Sequence, residues 1–113
     1  MFFSPASWYA SFPGGVAHTG PLNTHFVRDM GLALAIVASV LLWCARDPEH
    51  SRAAHLIVTA YFAGHALIHL AEITSGDLPA QHWREDILGV FTPALVLGVL
   101  ALPAVWRRMA PRR

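Results

Sequence analysis

One apolar stretch of this chain carries the run HALIHLAE, in which His65, His69 and Glu72 stand at i, i+4 and i+7. On a helix that spacing places all three on one face, and His55 falls within about 100° of the same arc. Two neutral imidazoles one turn apart offer two nitrogens to a single metal ion, and a carboxylate one turn further supplies an oxygen. His65, His69 and Glu72 are therefore the candidate metal ligands, with copper, zinc or iron as the candidate ions. The same residues suit haem ligation, although no CxxCH attachment motif is present. They also suit a proton relay within a membrane, or an acid–base pair in which Glu72 and His69 act on a lipid-soluble substrate. The plainest alternative is structural: His69 and Glu72 hydrogen-bonding between helices. Di-metal carboxylate bundles use Glu-x-x-His pairs from several helices. Here the order is reversed and occurs once.

A second group, His25, Arg28 and Asp29, shares a helix face at the start of an earlier apolar stretch. These are candidates for holding a cofactor, or for capping and pairing, with Arg28 set against Asp29, Glu72 or Asp86. His82 reads as a loop histidine, and His18, His50 and His55 as interfacial or solvated. The single cysteine, Cys44, permits no disulfide within the chain and reads as a buried, inert thiol. There is no Gly-rich phosphate loop, Ser/His/Asp arrangement or CxxC.

The elements that must position these side chains follow from composition. Of 113 residues, 55% are hydrophobic and 13% charged, the latter about half the share of a soluble domain. That excludes disorder, a secreted disulfide scaffold and a nucleic-acid-binding tail. Three apolar stretches, 26–45, 53–73 and 87–106, each reach the roughly 20 residues that cross a bilayer core. With caps and flanks they predict transmembrane helices over 24–45, 52–74 and 85–107, in one membrane domain spanning 1–113. Asn23 or Thr24 can cap the first. Trp43, Trp83 and Trp106 fall where spans meet the interface. Short connections, RDPEHSR and TSGDLPAQHWR, make consecutive spans antiparallel neighbours. Ahead of them, residues 4–12 read as a short interfacial helix with Ser4 as cap and Pro5 at its first position, ended by Pro13-Gly14-Gly15. The start lacks the basic and smoothly apolar regions of a cleavable signal peptide. The expected fold class is all-α integral membrane, with three transmembrane helices and a short interfacial N-terminal helix.

Small residues recur every four positions: Gly31, Ala35 and Ser39 on the first span, Ala60 and Gly64 on the second, Ala94 and Gly98 on the third. That spacing predicts close helix packing in lipid. Pro93 and Pro103 predict kinks in the third span. All eight basic residues are Arg. Arg46, Arg52, Arg107, Arg108, Arg112 and Arg113 lie at one side and Arg28 and Arg84 at the other, which predicts an external N-terminus and a cytoplasmic C-terminus. His65, His69 and Glu72 then converge with His25 toward the outer mouth, joined by His82 and Asp86.

The segment Asn23-x-His25-Phe26-Val27-Arg28-Asp29-x-Gly31 follows Trp8-Tyr9, Pro13-Gly14 and Thr19-Gly20-Pro21, and precedes His65-x-x-x-His69-Leu70. In these motifs the chain resembles a group of small bacterial multi-pass membrane proteins, themselves similar to DoxX-like four-helix membrane proteins. The resemblance covers Trp8 to Glu72. It implies a small helical bundle in the bacterial inner membrane and names no reaction or catalytic residue. It also implies a further span ahead of Trp8-Tyr9, which this chain starts without; either the start is shortened or a partner chain fills that place. Together these readings predict a small accessory or binding subunit whose partners are the lipid bilayer and either copies of itself or a larger membrane complex, with no nucleic acid. A membrane enzyme and a purely structural subunit are the alternatives.

Overall fold

The computed structural model describes residues 1–12, 16–18 and 20–110. It is all-helical, with no strand among the described residues. In chain order come α1 (Pro5–Ser11), a 3-10 turn (Val16–His18), α2 (Thr24–Arg46), α3 (Arg52–Ser75), α4 (His82–Asp86), a π-helical segment (Ile87–Phe91), α5 (Thr92–Ala101) and α6 (Pro103–Met109).

The two long helices form where apolar periodicity and end signals agree. The Asn23 side chain accepts a hydrogen bond from the Phe26 N–H at 3.0 Å, so Asn23 rather than Thr24 caps α2. Helix α3 ends at Gly76, whose left-handed φ of 88° suits a residue without Cβ. At 23 and 24 residues, both helices reach about 35 Å and are apolar enough to cross a membrane. Within them Ser39 and Thr59 donate to the carbonyls of Ala35 and His55, so neither hydroxyl needs water.

The third expected span, 85–107, is instead broken. The helical path from His82 ends at Ala101, and α6 turns away by 77°. Pro103 has no N–H to continue the ladder, and Leu102 before it takes an extended ψ of 133°. Upstream, Pro93 produces a π segment. Thr92 directs both its N–H and its hydroxyl to the Ile87 carbonyl, five residues back, the hydroxyl at 2.6 Å. The chain thus has two helices able to span a bilayer, or three if the bent pair is counted as one.

Helix α3 is central, packing chiefly on α5 and also on α2 and the π segment. The molecule is flat, with extents of 52 × 32 × 17 Å. Its fully buried apolar residues are few (Val27, Cys44, Val58, Ile73, Val90, Leu97 and Trp106), while large apolar side chains such as Ile57, Leu67, Leu88 and Leu95 stand exposed. Much of that surface would face lipid or a partner.

Some expectations change. Helix α1 spans Pro5–Ser11 rather than 4–12, and the Ser4 side chain makes no capping bond. The proposed stop Pro13-Gly14-Gly15 lies outside the described residues. Trp43 and Trp83 are half exposed, as an interfacial belt requires, but Trp106 is buried. At its glycines the small-residue spacing seats no neighbouring helix. A Cβ added at Gly64 or Gly98 would meet nothing within 4 Å. Among the described glycines only Gly31 is closely approached, by the backbone N of Phe2 at 2.9 Å and by the Met1 Cβ at 3.1 Å from such a Cβ. Glycine here admits the N-terminal segment, not a neighbouring helix.

Gly31→Val is therefore expected to lower stability by about 1–3 kcal/mol through overpacking, read by thermal unfolding in detergent. Gly64→Ala and Gly98→Ala are expected to stay within about 0.5 kcal/mol of the parent. A loss at Gly64 or Gly98 comparable to that at Gly31 would show that another surface covers them.

Candidate functional site

The site is built around Asp86, the last residue of α4. Pro79 and the turn after Gly76 reverse the chain, and α4 starts at once, which brings His82, Glu85 and Asp86 against α3. Asp86 Oδ2 accepts from His69 Nδ1 at 2.8 Å. His82 Nδ1 lies 3.4 and 3.5 Å from the two carboxylate oxygens. His82 is 2% exposed and Asp86 4%, so a carboxyl group that is costly to bury alone gains two imidazole partners. Glu85 Oε2 stands 3.8 Å from His82 Nδ1, beyond hydrogen-bond reach. It and His82 Nε2 are buried with no hydrogen-bond partner.

His69 links this cluster to His65. The two rings meet edge to face at 4.6 Å, and Tyr61 stacks on His65 from the other side. His65, His69 and Asp86 line a cavity of about 930 Å³ between α1, α2, α3 and the π segment, at the upper end of the range for drug-sized ligands. Its other walls are mostly apolar, among them Trp8, Phe12, Met30, Leu34, Phe62 and Val90. The Tyr9 hydroxyl donates to the Gly20 carbonyl and ties α1 to the segment leading into α2. Leu88 and Phe26, on the cavity rim, are 80% and 60% exposed.

The expected residues divide. His65 and His69 are brought together, facing the cavity. Glu72 is half-buried, does not line the cavity, and makes no side-chain hydrogen bond to His69 among the described residues; Asp86 takes that place. No group of three or more His, Cys, Asp or Glu side chains is placed to hold a metal ion among the described residues. His25 and Asp29 pair with each other at 3.3 Å on the exposed surface, 88% and 62% open. Arg28 is exposed and makes no ion pair among the described residues. None of these three lines the cavity; the same helix contributes Asn23, Phe26, Val27, Met30 and Leu34 instead. His82 is not a loop histidine but a buried helical one. Its convergence with Asp86 on His65 and His69 is expected from the sequence; its helical setting is not, because the helix starts three residues earlier than the expected 85.

His55 also departs from expectation. It is 3% exposed and lies at the opposite end of α3. Its Nε2 reaches the Leu97 carbonyl at 3.2 Å, and its ring packs on Trp106 at 4.7 Å. Arg52 lies 5.5 Å over the same indole and donates to the Ala101 carbonyl at 3.4 Å. That carbonyl lies at the bend, where the Val105 N–H turns to Leu102. Cys44 is buried as expected, with Sγ 3.7 Å from the Ser51 carbonyl. The side chain of His18 lies outside the described residues.

His50 is exposed, in the first connection. Its ring bonds Asp47 at 2.9 Å, which raises the imidazole pKa and, through the same hydrogen bond, lowers that of the Asp47 carboxyl. Comparison with protein-family models, curated proteins and solved structures finds no match for this chain.

Two outcomes are expected. Asp86→Ala removes the acceptor of two imidazoles and is expected to destabilise by about 1–3 kcal/mol. His69→Ala and Asp86→Ala should be non-additive in a thermal-unfolding double-mutant cycle, and additive effects would show the pair to be uncoupled. His50 is expected to titrate above 6.5 by NMR and to fall back toward it in Asp47→Asn. The raised imidazole loses its contribution as pH rises through its folded pKa, and the lowered carboxyl loses its own as pH falls through its folded pKa. The Asp47–His50 turn is thus tightest at mildly acidic pH.

Proposed function

We propose that this chain is a small integral membrane binding subunit that holds a lipid-soluble molecule, a cofactor or substrate, in the cavity beside His65 and His69. The observation that carries this reading is the cavity itself, about 930 Å³, walled by apolar side chains and polar at one end. A mostly apolar pocket with a few convergent polar groups is the common form of a small-molecule site. Exposed Leu88 and Phe26 at the rim support access from the acyl-chain region rather than from water. The proposed setting is the bilayer of a bacterial inner membrane, with the N-terminus outside, supported by the six-to-two division of Arg between the two sides. The flat, largely unburied layer of helices supports further copies or a larger complex around it.

A second reading is favoured by one bond. His69 held by a buried carboxylate at 2.8 Å has the arrangement of an oriented general base. As an enzyme, the chain would use His69 with Asp86, in place of Glu72, on the bound molecule. The metal reading of His65, His69 and Glu72 has no comparable support, because among the described residues no group of three or more His, Cys, Asp or Glu side chains is placed to hold a metal ion.

Gly89 lines the cavity, and a Cβ built there meets no atom within 4 Å. Gly89→Leu should therefore fill the space without disturbing the helices. Mass spectrometry of organic extracts from purified protein is expected to show an apolar molecule near stoichiometric amounts in the parent, reduced at least about tenfold in Gly89→Leu. Equal extracts from both proteins would overturn the reading. Turnover of the recovered molecule, lost in His69→Ala, would select the enzyme.

A further inference from the structure

The two imidazoles facing the cavity differ in what they can offer, and the difference specifies a head group. His69 Nδ1 is committed to Asp86 at 2.8 Å. An ionised carboxylate only accepts, so this nitrogen carries the proton, and in the neutral ring Nε2 is left as an acceptor. His82 approaches the same carboxylate with its Nδ1, which holds Asp86 from a second side and keeps it aimed at His69. His65 makes no hydrogen bond among the described residues, and neither of its ring nitrogens is buried. A neutral imidazole always carries one N–H. His65 therefore presents a free donor beside the free acceptor of His69, the ring centres being 4.6 Å apart.

From this pairing, and resting on the reading of the cavity as a small-molecule site, we infer that the bound molecule is an amphiphile with a hydroxyl head. Its O–H donates to His69 Nε2, and its oxygen accepts from the His65 N–H. A hydroxyl joins a donor and an acceptor in one atom and matches both rings. An ether, ketone or carboxylate only accepts, and an alkane does neither. The tail occupies the apolar wall formed by Trp8, Phe12, Leu34, Phe62 and Val90. Aliphatic alcohols and phenols share this chemistry, and both are tested.

Trp8 on the cavity wall is an internal reporter. Full-length protein in phosphatidylcholine nanodiscs is titrated with a series of equal-length brominated alkyl chains, each bearing an alcohol, a phenol, the phenol's methyl ether, a carboxylic acid or no head group. The signal is the part of the tryptophan quenching that is lost in Trp8→Phe. Alcohol and phenol are expected to quench at about tenfold lower concentration than methyl ether and alkane, equivalent to one net hydrogen bond. The tighter of the two identifies an aliphatic or aromatic source. His69→Ala and His65→Phe should each abolish that preference, with circular dichroism at the parent level reporting that each variant is folded; a preference that survives in both folded variants overturns the assignment. Equal quenching across the series, or strongest quenching by the acid, overturns the hydroxyl assignment while the cavity reading stands. No Trp8-specific quenching by any member overturns the cavity reading itself.

Discussion

The hydrogen bond between His69 and Asp86 joins α3 to the start of the third helical path, and the register of the two follows from it. Asp86 is 4% exposed, and a carboxylate so buried cannot be left without a partner at low cost. Sliding α3 by one residue would turn His69 away and leave a carboxylate buried in its place. A second attachment at the far end of α3 acts in the same sense. There His55 and Arg52 reach the carbonyls of Leu97 and Ala101, and both pack on Trp106. Between these two points the contact of α3 with α5 is apolar and without direction, so the polar ends select one alignment among several that would bury similar area.

The cavity is a consequence of how the chain enters and leaves that alignment. Helix α2 packs on the other side of α3, and α1 lies against α2. The π segment widens the third helical path by one residue per turn just where Pro93 removes a ladder donor. Helix α2 and the π segment thus meet α3, and α1 meets α2, without filling the space among them. A gap of this size, apolar except at the imidazoles, offers no set of partners for water along most of its wall. An amphipathic molecule fits both parts. Its open rim, formed by Leu88 and Phe26, lies on the surface that lipid would cover.

Much of the architecture is legible residue by residue. Apolar runs longer than a bilayer core is thick, Asn23 before α2, Gly76 after α3 and Pro103 within the last run each act locally, through propensity, capping or a missing N–H, and each appears where the pattern places it. The candidate site was legible in part. The i, i+4 spacing puts His65 and His69 on one face whatever surrounds them. Glu72 shares their arc by the same arithmetic, yet that arc is wider than the cavity, and a side chain at its edge remains half exposed. His25, Arg28 and Asp29 share a face as expected, but that face is turned outward, while Phe26, Val27 and Met30 are turned in.

What the amino-acid order determined alone is therefore periodic and local: which segments are helices, where α2 starts and α3 stops, and which residues of one helix look the same way. Which faces meet was decided only in the tertiary structure. The third helical path begins at His82 rather than 85, and that single turn of helix carries a histidine and sets the carboxylate of Asp86 beside His69. Partners on different helices depend on rotation and translation between rods, and a one-dimensional pattern constrains neither. Pairing of the polar groups that become buried makes the choice. It selects Asp86 over Glu72 for His69, and the Leu97 carbonyl and Trp106 for His55.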